Sequence, residues 1–573
     1  MHVVATAGHV DHGKSTLVLT LTGMDPDRFA EEKTRGLTID LGFAWTTLPS
    51  GRELAFVDVP GHVRFLKNML AGVGAVDACL FVVAATEGWK PQTEEHLRIL
   101  ELLGVTSGVV AMTKVGLVDG EWLELAHLEL ADHLAGTFLA DAAVVDVDAP
   151  AGWGVPELRA ALDDLLAVTP AAADRGRPRL WVDRSFAAKG SGTVVTGTLA
   201  GGSLAEGDEV LLLPGGRKAR IRALQSHKSA LATAGPGRRL AVNLAGLHHE
   251  QVDRGHALVR HAQWEPTRRV DCTLSVLGAL DHDVSRRGAY QAYIGSGEHP
   301  VRVRVLGTDA LQPGDTGLVR LHLPVALPLL PGDRYVLRES GRGETVGGGE
   351  VLDVAPVLAA SRARPSASVD RVVAERRWID ADLLERLTGE RRAPTVGRFV
   401  VDPVELEATR DRVRAAVATA GPLGLDVATL DERERAVLEG LPGVVVDAGR
   451  ASPAGLAADA LATHRYVAAL EAAPFSPPPP EGVDRAELRE LVRRGLVVER
   501  DGVWFAPAAL AEAGRIIASR LIGAPDGLTV ADVRDALGTT RKFILPLLAQ
   551  LDASGVTRRR GDLRIGGPRL PPA

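Results

Sequence analysis

Apolar and polar positions follow two different patterns along the first third of the chain. Short apolar runs are separated by segments in which apolar residues recur every three or four positions, as in PQTEEHLRILELL (91–103). Such runs are typical of buried parallel strands, and the longer period is typical of amphipathic helices. The predicted strands are 2–7, 53–59, 78–85, 107–112 and 143–148, and the predicted helices include 91–103, 121–135 and 155–167. The alternation predicts an α/β domain with a doubly wound parallel sheet over residues 1–172.

The middle of the chain has a different pattern of apolar runs and turns. Val- and Leu-rich runs alternate with turns that contain Gly, Pro or Asp, as in LQPGDTGLVRLHL (311–323). This pattern predicts two β-barrel domains, at 173–262 and 263–358. From 359 to 573, helical segments are followed by short hairpin patterns, which predicts tandem, mainly α winged-helix domains with the last at about 521–573. The predicted fold class is therefore multidomain: an α/β P-loop domain, two β-barrels and winged helices.

Composition narrows the class of protein. The 573 residues are 46% hydrophobic and 24% charged, as in an ordinary globular protein, and the net charge of −7 argues against a surface coated with nucleic-acid contacts. Two cysteines, Cys79 and Cys272, provide no disulfide framework, which fits a reducing compartment. The sequence shows no signal-peptide pattern and no long apolar run. We therefore expect a cytoplasmic monomer without a membrane partner.

A glycine-rich motif follows the first predicted strand. GHVDHGKS (8–15) matches G-x-x-x-x-G-K-[ST], in which the glycines let backbone N–H groups surround phosphate oxygens. Lys14 is predicted to reach the β- and γ-phosphates, and the Ser15 hydroxyl is predicted to bind Mg²⁺. The predicted nucleotide-binding loop consists of Gly8, His9, Val10, Asp11, His12, Gly13, Lys14, Ser15 and Thr16.

A second motif, DVPGH (58–62), ends the strand predicted at 53–59. Asp58 is predicted to hold Mg²⁺, and Gly61 to donate a backbone N–H to the γ-phosphate. Between the two motifs lies EEKTRGLTIDLGFAW (31–45), in which Thr38 is a candidate second hydroxyl for Mg²⁺. Together these parts predict a loop that becomes ordered on the γ-phosphate and is released after hydrolysis.

These motifs resemble those of the translational GTPases, and most closely the selenocysteine-specific elongation factors. The resemblance is dense in the first domain, where it includes RGLTIDLGFAW and FLKNMLAGVGAVDACLFVVAATEGWKPQTEEHLRIL. It continues into the first barrel through VDRSFAAKGSGTVVTGT (182–198), is weak in the second barrel, and returns in LGTTRKFILPLLAQLDASGVTRRRGD (537–562). It therefore covers both ends of the chain.

The resemblance implies a GTPase that uses GTP, GDP and Mg²⁺. It also implies binding of selenocysteinyl-tRNA and of an mRNA hairpin beside a recoded UGA codon, with delivery of the tRNA to the ribosome. His62 matches the residue that orients the attacking water. Asp40, Arg184 and Arg239 match the selenocysteine pocket, where two guanidiniums would favour an ionised selenol over the neutral hydroxyl of serine.

The C-terminal segment from 521 to 573 carries local positive charge. Eight Arg and Lys residues there face five aspartates, which gives +3 in a chain of net charge −7. A basic cluster at the start of a recognition helix and another on a wing would contact the phosphates of a hairpin RNA. The predicted RNA-binding residues are Arg541, Lys542, Arg558, Arg559 and Arg560. Phe543 is the main candidate for stacking on a base.

The base-reading loops depart from the family pattern. In MTKVGLVD (112–119), Thr113 and Lys114 match Thr/Asn-Lys-x-Asp, but Gly116 replaces the carboxylate that reads guanine. Its loss predicts weaker discrimination by about 1–3 kcal/mol. Asp119 is a possible substitute, and restoring Asp at position 116 is expected to tighten GTP binding unless Asp119 already does this.

In the second base loop, Asp148-Ala149 replaces the usual Ser-Ala. The backbone N–H that contacts guanine O6 does not depend on the side chain, so this change is expected to be milder. Lys114 stacking and the Ala149 amide are expected to carry the remaining selectivity.

Two other functions remain open. A Tu-like translational GTPase for another aminoacyl-tRNA would share the phosphate motifs, although the basic tail and TIDLGFAW count against it. An RNA-binding protein with impaired GTPase function would explain Gly116. The retained Lys14, Thr38, Asp58 and His62 count against that alternative.

Overall fold

The computed structural model describes residues 2–26, 38, 40–60, 76–188, 192–421, 423–454 and 461–572. Internal contacts divide the chain into two compact units. One consists of Met1–Pro394 with Arg398–Val400, and the other of Thr395–Gly397 with Val401–Ala573. Across the described ranges, no helix combines the length and the apolar character needed to cross a bilayer.

The first unit begins with a six-stranded sheet in the order β2-β3-β1-β4-β5-β6. Its strands are β1 His2–Ala7, β2 Gly42–Thr47, β3 Glu53–Asp58, β4 Ala78–Ala84, β5 Gly108–Thr113 and β6 Val144–Val147. The described helices of this domain are α1 Lys14–Thr22, α2 Pro91–Leu102, α3 Gly120–Leu134 and α4 Val155–Val168. All pairings are parallel except that of β2 with β3. The five predicted strands and three predicted helices are confirmed to within a residue or two.

Strand β2 was not predicted. GFAWTT pairs antiparallel with β3, from Gly42 opposite Asp58 to Thr47 opposite Glu53, in a segment that the sequence suggested was a loop. Gly42 and Ala44 are buried, Phe43, Trp45 and Thr46 are half-buried, and Thr47 is exposed. A half-buried edge strand of this kind lacks the continuous apolar run that identifies the central strands. Strand β4, by contrast, is buried at every position.

Two barrels follow in the same unit. The first has ten strands: β7 Arg179–Trp181, β8 Arg184–Ala188, β9 Gly192–Ala200, β10 Leu204–Ala205, β11 Glu209–Leu213, β12 Arg217–Ser226, β13 Ser229–Leu231, β14 Thr233–Ala234, β15 Arg238–Ala245 and β16 Ala257–Arg260. Six of them close a ring, β11-β16-β7-β9-β15-β12, through the pairing of β11 with β12. This confirms the first predicted barrel.

The second barrel closes in the order β17-β22-β20-β19-β23-β24. Its strands, with two short outer ones, are β17 Thr267–Val276, β18 Val284–Ser285, β19 Tyr290–Ile294, β20 Gly297–Leu306, β21 Ala310–Leu311, β22 Thr316–Leu327, β23 Arg334–Glu339 and β24 Glu344–Asp353. Alternating positions on β20 are buried and exposed, as expected for a barrel wall. The two predicted barrels are thus both confirmed.

The residues described after the second barrel form four groups of helices and strands. The first, which belongs mostly to the first unit, has α5 Val369–Arg376, β25 Trp378–Asp380, α6 Ala381–Thr388 and β26 Phe399–Val401. The next two have α7 Pro403–Thr419, β27 Leu425–Asp426, α8 Glu432–Glu439, β28 Val444–Asp447, β29 Arg450–Pro453, α9 Arg465–Ala472, α10 Arg485–Arg493, β30 Val498–Arg500 and β31 Val503–Phe505. Hairpins after helices are the predicted winged-helix pattern.

The last group has the full winged-helix arrangement. It consists of α11 Pro507–Gly523, β32 Leu528–Thr529, α12 Val530–Ala536, α13 Arg541–Ala553, β33 Thr557–Arg560 and β34 Leu563–Gly566. The three strands form one sheet in the order β32-β34-β33. Ile517, Val533, Ile544 and Leu547 are fully or almost fully buried in its core. The amphipathic spacing of α13 therefore fixes which of its residues remain at the surface.

Candidate functional site

The phosphate loop joins β1 to α1 in a conformation that requires glycine at two positions. Gly8 has φ +138° and Gly13 has φ +87°, values that residues with a side chain rarely adopt. A Cβ on Gly8 would also lie 2.1 Å from the carbonyl oxygen of Val82. The loop can therefore approach the sheet closely, and α1 begins directly after Gly13 with its N-terminus facing the loop.

Lys14 lies beneath this loop. Its ammonium group donates to the carbonyl oxygens of Gly8 at 2.9 Å and His9 at 2.6 Å, and the residue is 5% exposed. Burial lowers the pKa of Lys14 to about 8, so the amine remains largely protonated at neutral pH. A buried cation held inside a glycine loop is the arrangement that binds anionic phosphates.

Two histidines support the loop. The backbone N–H of Gly8 donates to Nδ1 of His96 at 3.1 Å, and Nδ1 of His12 lies 3.3 Å from the carbonyl oxygen of Val82. Burial lowers the pKa of His96 to about 3 and that of His12 to about 4. Both are therefore neutral at physiological pH. Sequence reasoning missed His96 because its place in the amphipathic pattern of α2 gave no chemical signal.

The three predicted metal ligands meet at one point. The Ser15 hydroxyl donates to Oδ2 of Asp58 at 2.7 Å and shares a hydrogen bond of 2.7 Å with the Thr38 hydroxyl. Asp58 is fully buried, and its Oδ1 accepts from Thr6 at 2.7 Å. Oxygen donors in this arrangement fit Mg²⁺, which prefers hydroxyl and carboxylate oxygens over nitrogen or sulfur. Gly61 and His62 lie outside the described residues, so their predicted roles stay predictions.

The first base loop begins at the end of β5. The Thr113 hydroxyl donates to the carbonyl oxygen of His12 at 2.7 Å, which ties this loop to the phosphate loop. Lys114 has φ +59° and its ammonium lies 3.1 Å from the Glu87 carboxylate. Asp119 caps α3 by accepting from the backbone N–H of Trp122 at 2.9 Å. Asp119 therefore serves as the cap of α3 through one of its carboxylate oxygens.

The second base loop follows β6. Asp148 and Trp153 exchange two backbone hydrogen bonds, of 3.0 and 3.1 Å, which hold this loop closed. The Ala149 N–H has no hydrogen-bond acceptor among the described residues, as required of a group that is to contact guanine O6. The structure therefore places the first base loop against the phosphate loop and the second base loop beside Gly116 of the first.

The two arginines of the predicted selenocysteine pocket lie over the ring of Phe43, and one of them also contacts Asp40. The guanidinium carbon of Arg239 lies 3.3 Å from the centre of the Phe43 ring, and that of Arg184 lies 5.0 Å from it. Arg184 contacts Asp40 at 2.9 Å, while Arg239 pairs with Asp183 at 2.5 and 2.9 Å. The three predicted residues are thus brought into one cluster.

Sequence reasoning missed a third arginine there. Arg254 lies 4.0 Å from Asp40, and burial lowers its pKa. Three arginines (184, 239 and 254) against two aspartates (40 and 183) leave this cluster with one formal positive charge. An open cavity of about 430 Å³ extends from Arg239 and Phe43 to Trp45, which stacks on His227 with ring centres 4.9 Å apart. The cluster therefore opens onto a space of side-chain size.

The predicted RNA-binding residues lie where the sequence suggested. Arg541 and Lys542 begin α13, and Arg558, Arg559 and Arg560 lie on β33; all five are exposed. Two details differ from expectation. Arg564, counted in the local charge, is buried and pairs with Asp552 at 3.0 Å. Phe543 packs against the core of its domain with the Lys542 ammonium 5.2 Å from the ring centre, which leaves it less available for base stacking.

A phosphate loop on a parallel sheet, followed by two closed six-stranded barrels, defines a P-loop nucleotide-binding protein of the translation-factor class. A family model described as "Elongation factor Tu GTP binding domain" matches residues 1–168, and one described as "Elongation factor SelB, winged helix" matches residues 520–565. Elongation factor Tu 2 of Streptomyces avermitilis is 32% identical over 379 residues, covering 61% of this chain and 96% of that protein. The chain belongs to the elongation factor Tu family of translational GTPases.

Two further similarities are to selenocysteine-specific elongation factors, a narrower group within the translational GTPases. The selenocysteine-specific elongation factor of Desulfomicrobium baculatum is 41% identical over 353 residues, which cover 61% of this chain and 55% of that protein. The match thus spans about half the length of that relative. A crystal structure of bacterial selenocysteine-specific elongation factor EF-Sec has a TM-score of 0.70 and 27% identity, covering 99% of both chains. The resemblance to the selenocysteine-specific factors is thereby confirmed.

Proposed function

We propose that the protein is a GTP-dependent elongation factor that binds selenocysteinyl-tRNA and an mRNA hairpin, and delivers the tRNA to the ribosome at a recoded UGA codon. The observation that carries the proposal is the meeting of Ser15, Thr38 and Asp58 within hydrogen-bond distance beneath the phosphate loop. Thr38 comes from the segment that precedes Asp40 and Phe43. A nucleotide that recruits the Thr38 hydroxyl would therefore also influence the selenocysteine pocket.

The nucleotide would be held mainly by this chain's backbone and by Lys14. Backbone N–H groups of the phosphate loop and the Lys14 ammonium would contact the phosphate oxygens, and Ser15, Thr38 and Asp58 would hold Mg²⁺. When bound, Mg²⁺ supplies positive charge to the β- and γ-phosphate oxygens. His62 is proposed to orient the water that attacks the γ-phosphate, and Gly61 to donate its N–H to that group.

The pocket around Phe43 supports selenocysteine as the amino acid. An ionised selenol carries negative charge at neutral pH, whereas the hydroxyl of serine does not. Arg184 and Arg239 would stabilise the former, with Arg254 reinforcing the local positive charge. The cavity beside Arg239 offers space for the aminoacyl end of the tRNA. Discrimination between selenocysteine and serine would thus depend on the charge of the side chain more than on its size.

A Tu-like factor for a standard amino acid is the second candidate. The Streptomyces avermitilis relative supports it, since that protein matches almost along its whole length. The winged-helix match at residues 520–565 and the basic surface of α13 and β33 favour a factor that also reads mRNA. We propose a cytoplasmic location because ribosomes and aminoacyl-tRNAs are found there.

Titration with fluorescent analogues of GTP and ATP tests the nucleotide part of the proposal. We expect GTP to bind at least about tenfold more tightly than ATP in the presence of Mg²⁺, a difference of about 1.4 kcal/mol. A chelator should weaken binding, because the Mg²⁺ ligands would then lose their ion. Binding of neither nucleotide, or equal binding of both, would contradict the proposed function.

A further inference from the structure

Gly116 faces the side chain of Asp148 at very short range. A Cβ built on Gly116 would lie 2.2 Å from Oδ2 of Asp148 and 3.3 Å from its carboxyl carbon. The direction of a Cβ is set by the backbone, so this is the space into which any side chain at position 116 would have to enter. A side chain at position 116 would therefore have to displace the Asp148 carboxylate from the place it occupies here.

The 2.2 Å distance between the hypothetical Cβ and Oδ2 of Asp148 can be compared with the geometry of an aspartate side chain. In an aspartate, each carboxylate oxygen lies about 2.4 Å from the residue's own Cβ, as follows from ordinary C–C and C–O bond lengths. Oδ2 of Asp148 lies almost at this distance from the hypothetical Cβ of residue 116. The structure thus puts a carboxylate oxygen at an ordinary Cβ-to-carboxylate distance from position 116.

The Asp148 carboxylate is also available to a ligand. Its backbone is fixed by the paired hydrogen bonds with Trp153, and in the part of the chain that the structure describes no group donates a hydrogen bond to its side chain. The residue is half-buried, beside an open cavity of about 270 Å³ that Gly116, Val115 and Trp153 also line. Asp119, the other carboxylate of the first base loop, is occupied in capping α3.

We propose that Asp148 reads the guanine base, with its carboxylate accepting hydrogen bonds from the N1–H and the 2-amino group. The base-reading carboxylate has moved from the first base loop to the second, and Gly116 provides the space that it needs. Ala149 would still contact O6 and Lys114 would still stack on the base. This inference rests on the proposed use of GTP, and it replaces the expectation of a weakened guanine reader.

The Asp148→Asn variant tests the inference through xanthosine triphosphate, in which the 2-amino donor of guanine is replaced by a carbonyl acceptor. An asparagine amide matches this edge because it offers one donor and one acceptor. We expect the variant to bind GTP at least about thirtyfold more weakly than the parent protein and xanthosine triphosphate at least about tenfold more tightly. The gain in one affinity excludes misfolding as the cause of the loss in the other.

The matched control is Asp119→Asn, which retains a good helix cap and should leave both affinities unchanged. A second arm uses Gly116→Asp, which should weaken GTP binding at least about tenfold because two carboxylates would share one space. Adding Asp148→Ser to Gly116→Asp should restore GTP affinity to within about threefold of the parent.

The outcomes separate this inference from the proposed function. A parent protein that binds GTP, together with an Asp148→Asn variant of unchanged preference, would overturn the inference and leave the proposed function standing. Tighter GTP binding by Gly116→Asp alone would overturn it as well. A parent protein that binds neither guanine nor xanthine nucleotide would overturn the proposed function and this inference together.

Discussion

Replacing Lys14 by alanine should lower the affinity for GTP about a hundredfold or more, which corresponds to about 3 kcal/mol. The reason is geometric and electrostatic. The Lys14 ammonium lies buried against the carbonyl oxygens of Gly8 and His9, at the centre of the loop that would surround the phosphates. No other described lysine or arginine side chain donates a hydrogen bond to these loop carbonyls, and charge-assisted contacts to phosphate are among the strongest in proteins.

The measurement is a titration with a fluorescent GTP analogue, accompanied by circular dichroism to show that the variant is folded. Lys218→Ala is the matched control, because it removes an exposed lysine from β12 in the first barrel. A Lys14→Ala protein that is folded and binds GTP within about threefold of the parent would contradict the assignment of the phosphate site.

Replacing Arg541 and Lys542 together by alanine should weaken binding of a hairpin RNA about thirtyfold at physiological salt. Both side chains are exposed at the start of α13, where they would contact the phosphate backbone. Loss of two phosphate contacts should also reduce the slope of log affinity against log salt by about two. GTP affinity should not change, since these residues belong to the C-terminal winged helix.

The RNA for this measurement is the hairpin that follows an in-frame UGA codon in a selenoprotein message of the source organism. Arg485→Ala with Arg489→Ala removes two equally exposed arginines from α10 and is the matched control. If the Arg541→Ala/Lys542→Ala protein kept both its RNA affinity and its salt dependence, the basic surface of α13 would not be the RNA contact.

The sequence predicted the elements whose burial is uniform or strictly periodic. The central strands, such as β4, are continuous apolar runs because helices cover both faces of the sheet. The phosphate loop could also be predicted from the sequence. Contacts to phosphate require its glycines and Lys14 whatever fold surrounds them. Arg558, Arg559 and Arg560 could be predicted as RNA contacts because positive charge is concentrated in one small domain.

What the sequence did not reveal depends on contacts between distant segments. Arg254 joins Asp40 because the first barrel packs on the nucleotide domain, and nothing in its own neighbourhood indicates this. Arg564 contributes to the local positive charge, but its side chain is buried against Asp552. In the sequence, Gly116 indicates the loss of a carboxylate, because residues 116 and 148 are far apart along the chain. Their proximity, with Asp148 filling the space beside Gly116, is a property of the fold.

The proposed function requires this chain, in its GTP-bound form, to select selenocysteinyl-tRNA by charge. Its most direct test is the rate of aminoacyl-ester hydrolysis for selenocysteinyl-tRNA and for seryl-tRNA on the same tRNA body, each with GTP and an excess of the protein. We predict at least about tenfold slower hydrolysis of the selenocysteinyl ester, no protection of the seryl ester, and loss of the difference in Arg239→Ala. Equal protection of the two esters, or protection of neither, would contradict the proposed function.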